Sequence, residues 1–224
     1  MSYDFDWPSV EREFKRALEL KPNYAPAHEF YAWYLIEMGR SAESLAAIRK
    51  AEQLDPLSAE DLYMAGWFLL LSGAYTDSVI EINKSLELDP NLWISDWIQG
   101  QAYEQLGRFP EALSVLKKSQ KALGDNPSPP LAEEARVYAL SGHRGDALKT
   151  LDRLLALSKR TQVSKYTIAT VYAALGDKEN AFAYLAKAYE EHSFLLGMMK
   201  VDPALAPLRT DARFQNLLKR MNLP

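Results

Sequence analysis

Few residues of this chain have types and spacings that could support covalent chemistry. The sequence contains no cysteine, which excludes disulfides, thiolate zinc sites and cysteine nucleophiles. Its three histidines are far apart, and no H-E-x-x-H, G-x-S-x-G or phosphate-loop motif occurs. Ser114 and Lys117 fit S-x-x-K without a supporting motif, on what reads as a solvated helix face. We therefore expect no catalytic residue, no metal ligand and no cofactor.

Aromatic side chains at a fixed spacing indicate a different kind of chemistry, the binding of apolar groups. Trp33 and Trp67 are 34 residues apart, and so are Tyr63 and Trp97. Exposed aromatic clusters are typical of binding sites because rigid rings bury a large area at a small entropic cost. The alternative is that these rings pack between neighbouring elements and belong to the core. The spacing leaves both interpretations open.

The same spacing runs through most of the chain, and it identifies the elements that must position these rings. Glycines recur at steps of 34, 34, 35 and 34 residues. Small residues and larger apolar residues follow the same period. The glycine series is Gly39, Gly73, Gly107, Gly142 and Gly176, the small series is Ala32, Gly66, Gly100, Ala135 and Ala169, and the apolar series is Ile48, Ile82, Leu116, Leu151 and Leu185.

Each unit has the pattern of two helices joined by a tight turn. Apolar and small residues recur within it at spacings of three or four, which places them on one helix face. The glycine ends the first helix, and a proline such as Pro56 or Pro90 stops the second. The 35-residue step coincides with the three prolines of 124–130, so the pattern predicts the longest loop between units there.

This pattern resembles the tetratricopeptide repeat (TPR) family. The best matches are Gly100 to Tyr103 with Ala112 and Leu116, and Ala169 to Tyr172 with Ala181 and Leu185. The early tryptophan of the family is missing from every unit. The resemblance implies an all-α fold, a right-handed TPR α-solenoid of antiparallel helix pairs with a C-terminal capping helix, forming one domain over 1–224. Its parts are a half repeat (1–24), repeats at 25–58, 59–92, 93–127, 128–161 and 162–192, and a capping tail (193–224).

The resemblance also implies a binding groove, because the first helix of each TPR unit lines the concave side. The groove candidates are Glu29, Trp33, Glu37, Tyr63, Trp67, Trp97, Gln101, Glu104, Arg136 and Tyr166. The basic clamp with which chaperone-binding TPR domains hold a C-terminal carboxylate is absent. The expected ligand is an apolar or aromatic peptide segment, with a basic residue facing Glu29, Glu37 and Glu104.

The half repeat in 1–24 has no first helix to cover its apolar face. Tyr3, Phe5 and Trp7 could fold back over that face, or the chain could be cut from a longer one. A third possibility is self-association, in which Val10 and Phe14 stack on a second copy to give a homo-oligomer.

The carboxyl end has a capped apolar helix with Phe214, Leu217, Leu218 and Met221 on one face. The whole tail resembles the ends of TPR regions in large bacterial proteins, including serine/threonine kinases, adenylate cyclases and winged-helix transcriptional regulators. We therefore interpret the chain as a non-enzymatic protein-interaction scaffold, a regulatory region of such a protein.

Composition narrows the partners. The net charge of −4 and pI near 5.5 argue against nucleic-acid binding by this region, which needs a basic surface. No run of 18 apolar residues and no signal-peptide pattern occurs, so we expect no membrane contact. The expected location is the cytoplasm, unless a parent protein places the region elsewhere.

Overall fold

A computed structural model describes residues 6–224 of this 224-residue chain. Within that range the secondary structure is helical and contains no strand, and no helix combines the length and apolarity needed to cross a bilayer. The α-helices are α1 (Trp7–Leu20), α2 (Ala25–Glu37), α3 (Ser41–Leu54), α4 (Ala59–Leu71), α5 (Tyr75–Leu88), α6 (Trp93–Gln105), α7 (Phe109–Leu123), α8 (Ser128–Leu140), α9 (Arg144–Leu157), α10 (Lys165–Ala174), α11 (Lys178–Glu190) and α12 (Ala212–Arg220).

Successive helices pack as antiparallel pairs, from α2 with α3 to α10 with α11, while α1 precedes them as a single helix. One pair falls in each predicted unit. The first helices of neighbouring pairs contact one another and form an inner layer, which we call the inner face, and the second helices lie outside it. The all-α solenoid expected from the sequence is confirmed.

The turn within each pair depends on its glycine. Gly39 has a φ of 74°, in the left-handed region that only glycine enters at little cost. Its N–H donates to Ile36 O, and the N–H of Arg40 donates to Leu35 O, so the last carbonyls of α2 are satisfied. The corresponding glycines of the other pairs have φ values between 70° and 84°.

Small residues in the first helix let the two helices of a pair approach closely. A Cβ atom on Gly100 would lie 2.7 Å from side-chain atoms of Leu116, and one on Gly66 would lie 2.6 Å from Ile82 Cδ1. In the first pair the hydroxyl of Ser44 donates to Ala32 O at 2.7 Å. Side-chain volume therefore sets the pair distance.

The loop predicted at 124–130 is shorter than expected, and that prediction is wrong. The connection between α7 and α8 spans residues 124–127, the same length as at 55–58 and 89–92. Pro129 and Pro130 lie in the first turn of α8, where a missing N–H leaves no hydrogen bond unmade. The longest connection between pairs is instead 158–164.

The end of the chain returns to its beginning. The indole N–H of Trp7 donates to Met221 O at 2.7 Å, and Trp7, Leu35 and Met221 belong to one buried cluster. The predicted apolar stripe of α12 is buried. One interpretation of the amino end was that Tyr3, Phe5 and Trp7 fold back over the apolar face of the half repeat. Tyr3 and Phe5 lie outside the described residues. Trp7 is the first residue of α1 and packs against the carboxyl end and Tyr34 of α2.

We expect Gly100→Val to lower the free energy of unfolding by about 2 kcal/mol, because overpacking forces Leu116 and the helix pair apart. Chemical denaturation followed by circular dichroism measures it. Gly145→Val is the matched control, since no atom outside the glycine's own helix lies within 4 Å of the added Cβ. Equal stabilities of the two variants would contradict the packing argument.

Candidate functional site

The chain's own tail crosses the inner face. Residues 194–208, which we call the tail strap, form 3-10 helices at Phe194–Met198 and Pro203–Leu208. The first contacts α2 and the second contacts α10, so the strap spans the solenoid from its first pair to its last. Its apolar side chains Leu196, Met198, Met199, Leu205 and Leu208 are buried. The strap is therefore part of the core.

A buried cation holds the strap against the middle of the inner face. Arg136 donates to Glu104 Oε1 at 2.6 Å and lies 3.4 Å from Glu133 Oε2. It also donates to the carbonyl of Thr170 and to that of Ala204 in the strap. Burial lowers the pKa of Arg136, but the carboxylates of Glu104 and Glu133 outweigh this and shift it upward. Arg136 thus joins α6, α8, α10 and the strap.

Two further contacts fix the strap at α10 and α2. The hydroxyl of Tyr166 donates to Asp202 Oδ2 at 2.7 Å, while the N–H of Ala204 donates to Asp202 Oδ1 at 2.8 Å. At the other end Gly197 lies so close to Glu37 that a Cβ atom would overlap the carboxylate. Burial raises the pKa of Glu37 to about 7, although its hydrogen bond from Trp33 Nε1 acts in the opposite direction.

Beside the strap, the inner face keeps an open cleft of about 710 Å³. Its rings form a row in which each contacts the next. The rings of Trp33 and Trp67 meet edge to face with their centroids 4.9 Å apart, and the ring centroids of Trp67 and Trp97 are 6.0 Å apart. Phe194 of the strap closes one side, 6.1 Å from Trp33, and is 61% exposed. We call this space the aromatic cleft, and its aromatic lining is Trp33, Tyr63, Trp67, Trp93, Trp97 and Phe194.

The structure divides the predicted groove residues into two groups. Trp33, Tyr63, Trp67 and Trp97 line the aromatic cleft, with Trp67 only 6% exposed and the others half-buried. Glu29 lies on α2 one turn before Trp33, also half-buried. The other group lies under or against the tail strap: Glu37, Gln101, Glu104, Arg136 and Tyr166.

Sequence reasoning missed two residues of the cleft. Trp93 lies one turn before Trp97 on α6, and the two rings are 6.3 Å apart. The spacing of four residues places Trp93 on the same helix face as Trp97, and a search for the repeat period alone does not detect it. Phe194 had no such signal, because only the return of the tail brings it to Trp33.

The predicted self-association residues pack within the chain. Phe14 lies 6.0 Å from the ring of Tyr31 and 6.1 Å from that of Tyr34, and Val10 packs against the same buried cluster. Both side chains are half-buried. The apolar face of α1 is therefore covered in part by α2.

Across residues 6–224, no group of three or more His, Asp or Glu side chains is arranged to hold a metal ion.

Three parts of the chain match protein-family models, each described as a tetratricopeptide repeat. They are residues 31–92, 94–118 and 164–191. No curated protein matches the sequence.

Several solved structures are similar to this one. PilW, a widely conserved type IV pilus biogenesis factor, has a TM-score of 0.64 at 23% identity over 92% of this chain and 91% of that one. A tetratricopeptide repeat protein from Parabacteroides merdae has a TM-score of 0.69 at 16% identity over 96% and 78%. YrrB, a TPR protein with an unusual peptide-binding site, has a TM-score of 0.50 at 19% identity over 84% and 96%. At these identities the likeness shows the fold alone.

We expect Arg136→Met to lower the free energy of unfolding by about 3–5 kcal/mol, because it leaves the carboxylate of Glu104 buried without its cation. The double variant with Glu104→Leu should recover at least half of that loss. Denaturant titration measures both, with the exposed Arg153→Met as control. A double variant no more stable than Arg136→Met would contradict this account.

We expect the stability of the protein to fall as pH rises from 5 to 8, in part through Glu37. Its pKa is about 7 in the fold against 4.5 ordinarily, so over this range the folded protein keeps a proton that the unfolded chain releases. The loss amounts to about 3 kcal/mol. Glu37→Gln should flatten the curve of unfolding free energy against pH and stabilise the protein at pH 8.

The exposed Glu13→Gln serves as control for this measurement and should leave the curve unchanged. The pKa of Asp61 is also raised, so the unfolding free energy of both the parent protein and Glu37→Gln should still fall somewhat with rising pH. A Glu37→Gln curve parallel to that of the parent would show that Glu37 stays ionised in the fold.

Proposed function

Because the chain contains tetratricopeptide repeats, we propose that it is a non-enzymatic scaffold that binds an apolar or aromatic protein segment in the aromatic cleft. The observation that carries the proposal is the cleft itself, an open space of about 710 Å³ lined by four tryptophans. Tryptophan and tyrosine in concave, partly desolvated positions are the side chains that most often dominate protein binding.

The tail strap limits which part of the inner face can take a partner. Glu104 and Arg136 are hydrogen-bonded to each other, and Tyr166 is hydrogen-bonded to Asp202 of the strap. Glu37 is covered by Gly197. A partner segment therefore has access to the part of the inner face that lines the aromatic cleft, where the rings of α2, α4 and α6 lie.

The relatives support the class of function and leave its details open. TPR proteins are generally interaction modules, and the similar structure YrrB is described as having a peptide-binding site. The likeness of the tail to TPR regions of bacterial kinases, cyclases and transcriptional regulators supports a regulatory role in a larger cytoplasmic signalling or transcription protein.

We expect Trp33→Ala and Trp97→Ala each to weaken binding of a selected peptide by about tenfold or more, because each removes a ring that the ligand covers. The probe is a peptide obtained from a random twelve-residue display library on the parent protein. Fluorescence anisotropy gives the dissociation constants, and circular dichroism confirms that each variant is folded.

Phe30→Ala is the matched control, since Phe30 is an exposed ring on α2 that does not line the cleft. A library that yields no binding peptide would count against the proposal. Peptides that bind the tryptophan variants and Phe30→Ala equally well would place the site elsewhere.

A further inference from the structure

Two carboxyl groups lie on neighbouring first helices, Glu29 on α2 and Asp61 on α4. The charge of Glu29 adds to burial in raising the pKa of Asp61. Glu29 is half-buried, whereas Asp61 is 1% exposed. Neither carboxylate oxygen of Asp61 accepts a hydrogen bond from any of the described residues.

Within residues 6–224, no lysine, arginine or histidine forms an ion pair with Glu29 or Asp61. The charged groups that act on Glu29 and Asp61 are themselves acidic, and burial and mutual repulsion together raise the pKa of Asp61 to about 7. Those neighbours come from α3, α4 and the loop between them: Glu52, Asp55 and Glu60.

Two other buried carboxylates of the chain have the cation that this pair lacks. Glu81 lies 2.7 Å from the guanidinium of Arg49, and Asp96 lies 3.0 Å from Lys118 Nζ. Burial of a charge without a partner is costly, so chains that keep such a group commonly use it. Glu37 also lacks a cation, but it accepts a hydrogen bond from Trp33 Nε1, whereas neither carboxylate oxygen of Asp61 accepts one from the described residues.

Along α2, Glu29 lies next to the aromatic cleft. Glu29 precedes Trp33 by one turn of α2 and therefore lies on the same face of that helix. On α4, Tyr63 lines the cleft and donates its hydroxyl hydrogen to Glu60 at 3.1 Å. A ligand that covers the rings of Trp33 and Tyr63 would place its next residue beside Glu29.

We propose that the segment bound in the aromatic cleft carries a lysine or arginine that pairs with Glu29, the half-buried member of the Glu29–Asp61 pair. A partner's cation would provide the countercharge that the chain lacks, and the faces of Tyr63 and Trp33 would add cation–π attraction. This inference rests on the proposed function, and it names the chemistry of the partner: an apolar segment next to a basic residue.

The test uses a peptide selected on the parent protein and the same peptide with its basic residue replaced, arginine by citrulline or lysine by norleucine. We expect the replacement to weaken binding to the parent about tenfold. In the variant Glu29→Gln with Asp61→Asn, the same replacement should change the dissociation constant less than threefold. Selected peptides should also be enriched in Lys or Arg beside apolar residues.

The variant Glu13→Gln with Glu19→Gln removes two exposed acidic charges from α1 and controls for net charge. It should keep the tenfold difference. If peptides bind the cleft, as loss of binding in Trp33→Ala shows, but neutral replacement of the basic residue has no effect, this inference fails and the proposed function stands. If no peptide depends on Trp33 or Trp97, both fail.

Discussion

The structure depends on one buried cation, Arg136, which reaches four elements of the inner face at once. It neutralises Glu104 from α6, lies next to Glu133 on its own helix, and holds backbone carbonyls of α10 and of the tail strap. A buried ion pair gains little over well-packed apolar residues, but losing one partner leaves the other charge uncompensated. Arg136 therefore fixes where the strap lies as much as how strongly it is held, and the geometry of the inner face follows from it.

Once the strap is in place, the solenoid is no longer an open groove. The strap buries Leu196, Met198 and Leu205, and it covers the polar residues that a partner would otherwise contact. What remains accessible is the aromatic cleft beside it, with Phe194 of the strap as one wall. The tail thus shapes the site: it removes one half of the inner face from binding and completes the other half with an exposed ring.

The acidic groups of the inner face show the same division. Glu104 is paired with Arg136 through Oε1, and Glu37 is enclosed with Trp33 as its hydrogen-bond donor. Among residues 6–224, neither carboxylate oxygen of Asp61 has a hydrogen-bond donor, and the charged groups that raise its pKa are acidic. Repeat proteins contact mainly their nearest neighbours, so a charge at the rim of one unit has few residues within reach that could neutralise it.

The sequence by itself determined the helix pairs, their turns and the shared face of Trp33, Tyr63, Trp67 and Trp97. These features follow from local periodicity, because the spacing of small and apolar residues sets helix faces, and glycine alone enters the left-handed turn at little cost. The loop at 124–127 was mispredicted, since prolines can end one helix or begin the next and their number alone does not distinguish the two cases. Only the tertiary structure decided that the tail returns across the inner face, that Trp7 meets Met221, and which predicted groove residues stay open. Contacts between residues more than 60 positions apart produce no periodic pattern in the sequence. They depend on how five stacked helix pairs rotate relative to one another, and no single pair determines that rotation.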